Sequence, residues 1–108
     1  MARVSVGRLV HYVLSATDAA AIDKRRAPGA GHSFSWPSGA QAHVGNAWSE
    51  GAHVPMVVVV VWPNEHGPGQ DGVNGQAFLD GNDSLWVTSA REDPGGAPGT
   101  WHWPERVE

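Results

Sequence analysis

Apolar positions along this chain gather into short runs separated by stretches rich in glycine and proline. Arg8 to Leu14 is rich in β-branched and aromatic types and is bounded by Gly7 and Ser15, which predicts a first strand. Thr17 or Asp18 then offers a cap for a short helix through Ala19, Ala20, Ala21 and Ile22 to about Arg26. Lys24, Arg25 and Arg26 complement the negative end of its dipole, and Pro28 and Gly29 end it. Gly31 to Gly39 holds no sustained period and reads as an ordered loop pinned by Phe34 and Trp36. A short strand is expected over Gln41 to Val44, with a turn at Gly45 and Asn46.

Met56 to Trp62 gives the strongest signal. Five consecutive valines suit a pleated sheet, and a run without alternation predicts a central strand buried on both faces. On that reading Val59→Asp prevents folding. Pro63 to Gly72 reads as a hinge-like loop, and Val73 to Leu79 as a strand in which Gly75 marks a bulge or a close backbone approach. Asp80 to Asp83 forms a tight turn into Ser84 to Ala90, whose alternation places Leu85, Val87 and Ser89 on one face and Trp86, Thr88 and Ala90 on the other. Thr100 to Trp103 is a last short strand with Trp101 and Trp103 on the same side. Five or six short strands and one helix pack most economically as a mainly β, small, highly curved barrel of Src-homology-3-like form, with the helix inserted after the first strand.

A length of 108 residues allows one core, so residues 1–108 read as a single domain. Seven Lys and Arg against eleven Asp and Glu give a net charge of -4, which repels a nucleic-acid backbone. The absence of cysteine removes disulfides, thiolate metal sites and cysteine nucleophiles. The longest apolar run, Val54 to Trp62, is far shorter than the ~18 residues of a membrane span, and no clean signal-peptide segment follows Arg3 and Arg8. The chain therefore reads as unexported and without a membrane partner.

Candidate chemistry is sparse. The six histidines fall in separate elements without ligand-pair spacing, so no metal is expected. Asp80, Asn82 and Asp83 lack the later ligands of a calcium loop, and Pro68 spoils Gly67 to Gly72 as a phosphate loop. No Gly-x-Ser-x-Gly elbow and no facing pair of carboxylates is evident, so neither an enzyme nor a cofactor is expected. The remaining candidates are binding residues. Lys24, Arg25 and Arg26 form the only dense cation cluster, with guanidinium forks suited to phosphate or carboxylate, although a solvated helix end explains them as well. His43 and Asn46 bring an imidazole and an amide to one turn, although a structural hydrogen bond accounts for His43 better than a ligand does. Trp36 and Trp48, in loops, offer stacking faces for a flat ligand or plugs for the barrel end.

Asp18-Ala19-Ala20-Ala21-Ile22, Ala42-His43-Val44-Gly45-Asn46, Val73-Asn74-Gly75-Gln76, Leu79-Asp80-Gly81-Asn82-Asp83 and the ending Gly99-Thr100-Trp101-His102-Trp103-Pro104-Glu105 resemble a group of small uncharacterised bacteriophage and prophage proteins, especially of actinobacteria. The likeness spans nearly the whole chain, while Asp23 and Lys24 depart from the more basic helix of the group. It implies an origin and no activity. The function expected is non-enzymatic binding of a small anionic ligand in the cytoplasm of an infected host, such as sequestration of a nucleotide signal of antiviral defence. The alternative is a structural or decoration component of the virion. Many tryptophans on a small barrel with short edges also imply a homo-oligomer.

Overall fold

The computed structural model describes residues 3–26, 47–81 and 83–104. The chain is mainly β: strand β1 (Leu9–Val13), helix α1 (Ala16–Arg26), then strands β2 (His53–Trp62), β3 (Gly72–Phe78), β4 (Ser84–Arg91) and β5 (Trp101–His102). They form one antiparallel sheet in the order β4-β3-β2-β1-β5, curled into a half-barrel with the helix inserted after the first strand. β2 lies at the centre, as its valine run implies. The strand expected at 41–44 and the loop at 31–39 lie outside the described residues.

Burial on both faces of β2 is not what the sheet provides. Val54, Met56 and Val58 face the core, whereas Val59 is 41% exposed. Only one face of the sheet meets the core, so Val59, next in the alternation after Val58, faces out; a bulge then follows, in which Val58 pairs with Gly75 and Val60 with Asn74 and Val59 is an extra residue. Inward positions 54, 56 and 58 therefore resume at Val61, which packs against the core from an odd position. Apolar residues at both parities serve one inner face before and after the bulge.

A second bulge corrects the alternation expected for β4. Val73 pairs with Ala90 and Gly75 with Val87, so Thr88 and Ser89 together face Asn74. Leu85 and Val87 point inward, but Ala90, not Ser89, continues the buried set. Ser89 takes a left-handed φ of 53°. Gly75 sits between the bulges, where a Cβ would lie 2.6 Å from the Val57 carbonyl and 2.8 Å from Met56 Cγ. The suggested role of close approach at Gly75 is thus met, while the bulges fall on its partner strands.

The helix is capped by Ser15 rather than by Thr17 or Asp18. Ser15 Oγ accepts from the Asp18 amide at 3.1 Å, and Asp18 Oδ2 accepts from the Ser15 amide at 3.0 Å, a reciprocal capping box. The same carboxylate accepts the Tyr12 hydroxyl at 2.5 Å, tying α1 to β1. Ile22 and Ala19 supply the buried face of the helix. The segment 63–71 is no hinge: Asn64 Oδ1 accepts from Gly69 N, and Asp71 Oδ1 accepts from Asn64 N, each at 2.8 Å.

Two neighbouring valines thus meet opposite environments. Val58→Asp places an unpaired charge in the core, costing several kcal/mol against a total of ~5–15 kcal/mol, and should abolish cooperative thermal unfolding. Val59→Asp should fold and melt within about 5 °C of wild type, because its side chain meets solvent. Circular dichroism melts decide both.

Burial and the adjacent Asp18 carboxylate hold the Tyr12 phenol well above its ordinary range. Below pH ~10 the phenol is protonated in folded and unfolded chains alike and adds no pH dependence. Above it the unfolded chain loses the proton first, so stability should fall by up to ~1.4 kcal/mol per pH unit. Denaturant titrations at rising alkaline pH should show this slope in wild type and not in Tyr12→Phe.

Candidate functional site

The curl brings the two sheet edges together at one point. Glu92, just beyond β4, bridges to Trp101 of β5, and the Asp93 amide donates to the Trp101 carbonyl at 2.9 Å. Asp93 then organises the return loop, its carboxylate accepting from the amides of Gly95 and Ala97. Beside this seam lies a cleft of about 410 Å³, within the range of small-molecule sites. Arg3 and Val4 line one side, the 69–71 turn another, and Arg91, Glu92, Pro94 and Trp101 complete it.

The charges in the cleft are not equivalent. Arg3 grips Asp71 in a two-pronged pair, with Nε donating to Oδ2 at 3.2 Å and a second, closer contact from the terminal nitrogen to Oδ1. The Asn64 amide, and then Arg3, hold the Asp71 carboxyl below the usual carboxylate range. This pair neutralises itself. Arg91 and Glu92 make no ion pair among the described residues, which leaves one guanidinium and one carboxylate to face a guest. Trp101 is 2% exposed, and its indole N–H has no acceptor among the described residues. Its ring meets Trp103 edge to face at 5.5 Å, and Arg8 lies 4.9 Å above the Trp103 ring.

Two further polar groupings have structural explanations. At the β4 bulge, the Ser89 amide donates to Asn74 Oδ1 at 2.8 Å, Ser89 Oγ donates to Glu65 Oε2 at 2.9 Å, and His66 Nε2 contacts the Ser89 carbonyl at 2.9 Å. Trp62 Nε1 donates to the same Asn74 oxygen at 3.1 Å. Glu65 lies so close over Gly72 that a Cβ there would overlap its carboxylate. These bonds are spent pinning the 63–71 turn to the bulge. On the face opposite the core, His102 meets His11 at 5.6 Å and His53 at 4.9 Å between ring centroids. Their edge-to-face packing does not make a ligand set, and among the described residues no three His, Asp or Glu converge to hold a metal.

Of the residues singled out from the sequence, Lys24 is exposed near the end of α1, and the backbone of Arg25 and Arg26 completes that helix. Trp36, His43 and Asn46 lie outside the described residues. Trp48 acts as a plug: its amide donates to Asp23 and its indole N–H to Asp80, both at 3.0 Å, while its ring packs against the core. The seam cleft had no sequence signal. Arg3, Asp71, Arg91 and Trp101 stand far apart in the chain, and only the curl assembles them.

Comparison with protein-family models, with curated proteins and with solved structures finds no match for this chain.

Proposed function

We propose that this chain is a non-enzymatic binding protein for a small anionic, nucleotide-like ligand, and that the seam cleft is where the ligand sits. The observation that carries this reading is the presence in one cleft of the unpaired Arg91 guanidinium and the buried Trp101 indole. A guanidinium fork suits a phosphodiester or carboxylate, the indole supplies an apolar wall, and Glu92 accepts from a ring amine. Because Glu92 opposes dense negative charge, Arg91 engages a single phosphate group of such a ligand, with the rest of its charge held away from the carboxylate. The resemblance to phage proteins supports a setting in the cytoplasm of an infected bacterium, where the chain would sequester a nucleotide signal of antiviral defence. The exposed apolar face of the sheet favours a second reading, a structural or decoration component of the virion.

Calorimetry with cyclic di- and trinucleotides and with ADP-ribose tests the reading. Wild type should bind one of these classes, and Arg91→Ala should weaken binding by about tenfold or more, since a charge-assisted hydrogen bond contributes ~1.5–3 kcal/mol. The Arg25→Ala, Arg26→Ala double variant should bind like wild type. Weakening in the double variant alone moves the site to the helix end, and no binding by wild type overturns the ligand reading in favour of the virion component.

A further inference from the structure

The outward face of the sheet is apolar where a solvated face would be polar. Leu9 pairs with Val57, Val57 with Gln76 and Gln76 with Trp86, forming a row across four strands on the side away from the core. Leu9 and Trp86 are each about half exposed, as are Phe78 and Trp62 on the same side, and the bulged Val59 adds to them. Between the row of His11 and Pro55 and the row of Val60 and Asn74, no outward position carries an Asp, Glu, Lys or Arg.

We propose that a second copy of this chain covers this face, the two sheets packing face to face through Trp86, Phe78, Val57, Val59 and Leu9. Charge selects the occupant. A nucleic acid or an anionic membrane needs cations that the face lacks, and two chains of net charge -4 repel one another least where each presents a neutral apolar surface. Edge-to-edge pairing is disfavoured, because β5 has only two residues and β4 is interrupted by its bulge at Thr88 and Ser89. Area then sets the strength. Four strands at ~4.8 Å and seven residues at ~3.3 Å give a footprint of roughly 440 Å² per copy. That is about half the ~800 Å² of a standard interface, at the weak end of specific association.

Sedimentation velocity on the full chain between about 1 and 300 µM should therefore show a reversible monomer–dimer equilibrium with a micromolar Kd. Trp86→Glu and Phe78→Glu, both at exposed positions, should each keep the wild-type circular dichroism melt and lower the association constant at least tenfold. A wild type that stays monomeric over this range overturns the proposal. So does a dimer that persists undiminished in both folded variants, since its interface would lie on another face.

Discussion

Everything distinctive in this fold depends on two bulges that flank one asparagine. Val59 on β2 and one residue of the Thr88–Ser89 pair on β4 are extra, and both bulges lie opposite the Asn74–Gly75 stretch of β3. Bulges bend a strand and sharpen its twist, and two at the same level act in concert. The sheet curls far enough for Glu92 to reach Trp101, closing the two edges at a single bridge. Asn74 holds the arrangement by accepting from the Ser89 amide and the Trp62 indole at once. Gly75 lets the Val57 carbonyl and Met56 approach where any side chain would collide.

How far the sequence announces this architecture differs from element to element. The valine run, the turn at Asp80 and Gly81 and the capped helix are local signals, written in neighbouring residues and realised close to their expected bounds. The helix cap moved to Ser15 because that hydroxyl, with Asp18 three residues later, forms a reciprocal pair no single cap can match. The facing of side chains was less legible. Alternation assigns faces correctly only while the register is unbroken, and each bulge reverses the parity for the rest of its strand. Ser89 and Ala90 exchanged faces for that reason, and on β2 the inward set passes from Val58 to Val61. Gly75 hinted at an irregularity, but it gave no indication of which partner strand carried the extra residue.

The candidate site lay further from reach, since its parts are joined only by tertiary closure. Arg3 and Asp71 are 68 positions apart, and their pairing fixes the N-terminal segment across the mouth of the seam. The basic triplet at the end of α1 was conspicuous because its members are adjacent in sequence, whereas Arg91 is a single cation followed at once by Glu92 and Asp93. Its significance comes from lacking a carboxylate partner inside a cleft, a property of the fold rather than of the local chain.

The cleft and the apolar face share a boundary, and the register determines whether they can operate together. Trp86 lies opposite Gln76, and Arg91 lies opposite Gly72, four residues further along β3, so the backbone of Arg91 stands about 13 Å along the strand from that of Trp86. The rows between are closed on the outer side by the Asn74 network and by Glu65 over Gly72. A partner sheet seated on Trp86 and Phe78 therefore meets a polar rim before it reaches Arg91. The cleft, bounded by the N-terminal segment and the return loop, opens beyond that rim. Binding at the seam and association through the face thus make separate demands on the chain, and the curl imposed by the two bulges is what holds them apart.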